Sequence, residues 1–66
     1  MFRPVAVVAR TIRLGDWLNV DGAYYRVLDL RSRCGGRRVE LDGHASKNLD
    51  DGVRYEVQRA QNGPFL

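Results

Sequence analysis

Apolar and polar residues alternate along most of this chain, and turn-forming pairs interrupt the alternation every ten to fifteen positions. The pairs are Gly15-Asp16, Asp21-Gly22, Gly35-Gly36, Asp42-Gly43 and Asp51-Gly52. Between them, Trp17 to Val20, Ala23 to about Cys34, Arg37 to Leu41 and Val53 to Arg59 are rich in Val, Leu and Tyr, and no stretch sustains a helical period. A continuous apolar run, Val5 to Ala9, precedes them and would be buried on both faces. It either closes a barrel or pairs with the edge strand of a second copy, giving a homodimer. The segment 9–14 either extends that strand or makes one helical turn before Gly15. The pattern predicts an all-β domain of five short strands spanning residues 1–66, with 61–66 as a loose tail on which Phe65 and Leu66 can pack back.

Turn chemistry sets the pairing. Asp21-Gly22 is a two-residue hairpin loop whose central residues tolerate positive φ. It places Val20 opposite Ala23, Leu18 opposite Tyr25 and Trp17 opposite Arg26. Leu18, Val20, Ala23, Tyr25 and Val27 then form the inner face, and Trp17, Asn19, Tyr24 and Arg26 the outer one. A second hairpin centred on Gly35-Gly36 sets Cys34 opposite Arg37, Arg33 opposite Arg38, Ser32 opposite Val39, Arg31 opposite Glu40, Leu30 opposite Leu41 and Asp29 opposite Asp42. Its inner face is Leu28, Leu30, Ser32, Val39 and Leu41. Tyr25 and Val27 on one inner face and Leu28 and Leu30 on the next cannot share a straight strand, so a bulge or sharp bend is expected near Val27 and Leu28. One long strand shared by two nearly orthogonal sheets is how SH3-like barrels close.

The stretch from Ile12 to Asp29, Ile-Arg-Leu-Gly-Asp-Trp-Leu-Asn-Val-Asp-Gly-Ala-Tyr-Tyr-Arg-Val-Leu-Asp, resembles the opening of the KOW-like, SH3-like barrel domain of bacterial elongation factor P and its relatives. Gly15, Asp21, Gly22, Tyr25, Arg26 and Val27 match that pattern position by position. The resemblance implies a five-stranded SH3-like barrel and, more broadly, a basic hairpin presented to nucleic acid. Departures accompany it. The family's next hairpin carries a Gly-Lys-Gly tip, and here the corresponding residues are Cys34-Gly35-Gly36-Arg37, without lysine; the family's further barrels are absent as well.

Charge changes the picture more than composition does. The 66 residues carry a net +3 at pH 7, but residues 1–38 hold eight arginines against three aspartates, whereas residues 39–66 hold three basic and five acidic side chains. Arg31, Arg33, Arg37 and Arg38 flank the glycine pair with no acid between them. In the expected register Arg33 and Arg38 face each other at the tip without an acidic neighbour, where like charges opposite one another are destabilising. An external anion would relieve them, and arginine's planar fork suits phosphates and base edges. The plain alternative is a solvated turn.

The outer face of the first hairpin would set Trp17, Tyr24 and Arg26 side by side, able to stack on bases and hold a phosphate. The N-terminal strand covering Trp17 and Tyr24 is the competing arrangement. Arg10 and Arg13 would extend the basic surface.

Catalysis finds no support. Cys34 at the tip and His44 beyond the hairpin base are roughly 23 Å apart along a strand, too far for a dyad. Asp50-Asp51, beside Lys47 and Asn48, reads as a turn rather than a metal site, and one cysteine with one histidine falls short of a structural zinc set. No cofactor motif is present, and the apolar N-terminal run is too short for a signal-peptide core or a membrane span. The expected setting is the cytoplasm, with a reduced thiol and no membrane partner. Two functional classes fit. One is a nucleic-acid-binding module, for DNA or RNA, in which Arg31, Arg33, Arg37 and Arg38 contact phosphates, Arg26, Arg13 and Arg10 widen the basic surface, and Trp17 and Tyr24 stack on bases. The other is a protein-interaction adaptor, or a small phage- or plasmid-type regulator, that docks on a larger host complex through an aromatic groove or open strand edge.

Overall fold

A computed structural model describes residues 2–60. The expected tail at 61–66 lies outside them. Six antiparallel strands form one bent sheet: β1 (Phe2–Val8), β2 (Trp17–Val20), β3 (Ala23–Arg33), β4 (Gly36–Leu41), β5 (His44–Asp50) and β6 (Arg54–Ala60), in the order β1-β6-β2-β3-β4-β5. The all-β expectation holds, with two corrections. The described residues form six strands rather than five, and their sheet is open, with β1 and β5 as its edges. β5 escapes the sequence pattern because an edge strand needs few inward apolar groups; only Leu49 of its seven residues is buried. The apolar run in β1 pairs with β6 from Phe2↔Ala60 to Val8↔Arg54, leaving β1's other side as an edge that carries Pro4, a residue suited to such a position. No helix among the described residues is long and apolar enough to cross a membrane.

After β1 the chain makes a single 3₁₀ turn, Ala9–Thr11. The Thr11 hydroxyl holds it, donating to the Val8 carbonyl and accepting from the Val8 amide, both at 3.1 Å. This turn buries Ala9 and delivers Ile12 to the core.

The first hairpin has the expected register. Asp21 (φ 53°) and Gly22 (φ 89°) are both left-handed, as the two-residue loop requires, and the Asn19 side chain accepts from the Gly22 amide at 3.2 Å. Leu18, Val20 and Val27 are buried, Tyr25 packs against them, and Ala23 is exposed next to the loop.

The second hairpin differs. Its pairs are Arg33↔Gly36, Ser32↔Arg37, Arg31↔Arg38, Leu30↔Val39 and Asp29↔Glu40, so the loop is Cys34-Gly35 and Gly36 already belongs to the strand. Gly35 alone takes positive φ (80°), while the backbone of Gly36 lies against the Leu49 carbonyl of β5. The second glycine serves strand approach instead of the turn, which moves the register. The like-charge pairs move with it: the facing arginines are Arg31 and Arg38, and the facing acids are Asp29 and Glu40.

The expected bend is present as a bulge between Val27 and Asp29, with Leu28 as the extra residue. Leu28 leaves the inner face and is 54% exposed, which lets Val27 and Leu30 both turn inward without a break in the strand. The core is an aliphatic cluster in which Leu18, Val27, Val39, Leu49 and Val57 are almost wholly buried.

Candidate nucleic-acid interface

The sequence-predicted residues fall on two separate surfaces. One is the outer face of β3-β4-β5. There Arg31 lies 3.3 Å from Asp29, Arg33 reaches Asp50 at 2.7 Å, and Arg38 lies 3.5 Å from Glu40 while also donating to the Ser46 hydroxyl at 2.9 and 3.1 Å. Arg33 further donates to the Cys34 carbonyl. The expectation that Arg33 and Arg38 lack acidic neighbours is therefore corrected. β5, absent from the sequence reading, supplies Asp50 and Ser46, and the shifted register sets Arg38 beside Glu40. Three arginines meet three carboxylates on this face. Arg37, opposite Ser32 and Leu49, points to the other side and has no carboxylate within salt-bridge distance among the described residues. Arg10, on the 3₁₀ turn, is 4.0 Å from Asp51. Cys34 is exposed at the tip, whereas His44 packs on Tyr25 at the opposite end of β4, with ring centroids 4.6 Å apart.

The second surface is the outer face of β1, β6, β2 and the first half of β3. Register builds it: Pro4 faces Gln58, Gln58 faces Trp17, and Trp17 faces Arg26, giving one row across four strands. Phe2, 51% exposed, meets the Trp17 ring edge to face, with centroids 6.2 Å apart. Tyr24 stands on the other side of Trp17, held by its hydroxyl, which donates to Glu56 at 2.5 Å and accepts from Gln58 at 3.5 Å. Phe2, Trp17, Tyr24 and Gln58 enclose an apolar groove of 340 Å³. Both competing arrangements are partly realised: β1 borders Trp17 through Phe2, yet Trp17 and Tyr24 stay half-exposed.

A second groove of 420 Å³ adjoins it, sharing Phe2 and Trp17, with Arg13, Leu14, Asp16, Arg26 and Arg59 in its walls. Neither Arg13 nor Arg26 has a carboxylate within 4.0 Å of its guanidinium among the described residues. Arg59 is committed elsewhere. It donates through Nε and Nη2 to the two Asp16 carboxylate oxygens, at 3.0 and 2.8 Å, and through Nη2 to the Thr11 carbonyl. The Arg13 amide adds a third donor to Asp16, at 3.0 Å.

Asp16 is only 3% exposed. Burial alone pushes its carboxyl up, but the Arg59 hydrogen bonds, the Arg13 amide and the charges of both arginines together outweigh it and hold the pKa below the ordinary value. The Asp16 hydrogen bonds raise the Arg59 pKa in turn, against a smaller opposing effect of burial.

Sequence reasoning named Trp17, Tyr24, Arg26 and Arg13 for this surface and missed Phe2, Gln58 and the Asp16–Arg59 pair. The first three follow from one hairpin turn. The missed residues join the site only through the β1-β6-β2 order, and no local signal carries that order. No protein-family model, curated protein or solved structure gives a significant match to this chain.

Proposed function

We propose that this chain is a small nucleic-acid-binding module of SH3-like barrel character that binds through its aromatic outer face. One observation carries the proposal: Trp17, flanked by Phe2 and Tyr24, lies directly opposite Arg26, whose guanidinium, like that of Arg13, has no carboxylate partner among the described residues. Rings offer stacking surface to bases and unpaired guanidinium groups offer charge to phosphate. The bent β3 and the resemblance of residues 12–29 to KOW-like domains support the SH3-like reading, with the sheet open rather than closed.

Arg31, Arg33 and Arg38 lie outside the contact surface in this reading, because each is already held by a carboxylate partner on the other face. Arg37 and Arg10 extend the positive surface.

Fluorescence anisotropy with labelled DNA and RNA, at low and near-physiological salt, tests the proposal. Binding should weaken as salt rises, and emission from Trp17, the single tryptophan, should be quenched on binding. Absence of binding at low salt would overturn the proposal and favour a protein ligand for the same aromatic groove.

A further inference from the structure

Resting on the nucleic-acid reading, we infer that the ligand is a single strand held over a short footprint: one base stacks on Trp17 between Phe2 and Tyr24, and the adjoining phosphate lies between Arg26 and Arg13. The two grooves are halves of one track. Phe2 and Trp17 line both, so an apolar half and a cationic half adjoin at the Trp17 ring. Trp17 and Arg26 face each other across β2 and β3, and facing residues in an antiparallel pair are roughly 5 Å apart, close enough for one nucleotide to meet both.

The apolar half demands an exposed base face. Its lining is three rings and one amide, and the Tyr24 ring is set by the Glu56 hydrogen bond. Bases inside a duplex turn their faces to each other and present only edges and backbone, so a double helix has no internal base face to offer Trp17. The Gln58 amide, opposite Trp17 and engaged among the described residues through a long 3.5 Å contact to the Tyr24 hydroxyl, keeps hydrogen-bonding capacity for the edge of the stacked base.

The cationic half is small. Arg59 is tied to Asp16, which leaves two guanidinium groups, Arg13 and Arg26, to neutralise phosphate. With about 0.7 counterions released per phosphate on a single strand, the log–log salt slope should be about −1.4. That is shallow beside the slope expected if Arg31, Arg33, Arg37 and Arg38 also engaged.

The test uses labelled hexamers of oligo-dT and oligo-U against a long GC-rich duplex, which stays paired and has few ends per base pair, with Trp17 emission followed throughout. The single strands should quench Trp17 and bind at least about 10-fold more tightly than the duplex, the factor for loss of one base stack. Arg26→Gln and Arg13→Gln, both at exposed positions, should each reduce the slope by about 0.7, and the double variant Arg33→Ala/Arg38→Ala should leave it unchanged. Equal affinity for duplex and single strand, or a slope that responds to the hairpin pair and not to Arg13 and Arg26, would overturn the inference while leaving nucleic-acid binding intact. Failure of every oligonucleotide to bind would overturn both.

Discussion

Gly36→Ala should remove most of the stability of this protein. A Cβ placed on Gly36 would enter the Leu49 carbonyl group and crowd the Asp50 Cα, and all of these are backbone atoms of the paired strand β5. A side chain can rotate away from such a clash; a hydrogen-bonded strand has to separate. Overpacking in a core ordinarily costs about 1–3 kcal/mol, and with backbone as the obstacle a loss of at least about 3 kcal/mol is expected. At roughly 0.05–0.15 kcal/mol per residue a chain of this size has on the order of 3–10 kcal/mol in total, so the variant should melt far earlier in urea or be unfolded outright. Gly35→Ala is the control. Gly35 has open space around its Cβ position and φ of 80°, so alanine there incurs only left-handed strain, about 1–2 kcal/mol. Equal denaturation midpoints for the two variants would refute the close β4-β5 approach.

Asp16→Asn should have the next largest effect. The Asp16 carboxylate accepts from Arg59 and the Arg13 amide, and its backbone completes the node: the Asp16 carbonyl accepts from Val27 at 2.8 Å, while its amide donates to the Arg13 carbonyl at 3.1 Å. One residue thus ties the loop before β2 to β3 and β6. Removing one partner of a buried pair typically costs about 3–5 kcal/mol; the lower end applies here, because the Arg59 side chain keeps 22% exposure and can turn to water.

The same carboxylate sets an acid limit. Its folded pKa lies below its ordinary value of 3.8, so its contribution is fully present above that value and is lost as pH falls through the folded pKa. Denaturation midpoints of the parent should therefore decline below about pH 4, and those of Asp16→Asn should lack this part of the decline. An unchanged acid limb in the variant would show that Asp16 is not its source. Because Arg59 and Asp16 wall the cationic groove, the variant also releases a guanidinium into it, and any gain in oligonucleotide affinity would appear as a steeper salt slope.

The two hairpins differ in how far local sequence carries them. Asp21-Gly22 admits one loop, and the inward pattern of Leu18 and Val20 agrees with it, so the register and the row Trp17–Arg26 follow from a dozen residues. Cys34-Gly35-Gly36-Arg37 admits two loops one residue apart. What selects between them is the proximity of Gly36 to Leu49, a residue thirteen positions later in a strand too polar to be recognised. The charge pattern depends on that choice. Read locally, the tip is a block of unpaired arginines; with β5 in place, Asp50 and Ser46 reach Arg33 and Arg38, and the positive character of the outer face is largely cancelled.

By itself the sequence determined the all-β class, the Asp21-Gly22 hairpin turn, the bulge that bends β3 and the facing of Trp17 with Arg26, since each depends on residues close together in the chain. The tertiary structure alone decided the sixth strand, the open edges, the Phe2–Trp17–Tyr24 groove, the Asp16–Arg59 pair and the division of the arginines into paired and unpaired. The reason is physical. A turn's φ preferences and the two-residue period of a strand act over neighbouring residues, whereas an ion pair or an aromatic groove depends on which strands lie side by side, and in this sheet β6 inserts between β1 and β2 from the far end of the described chain.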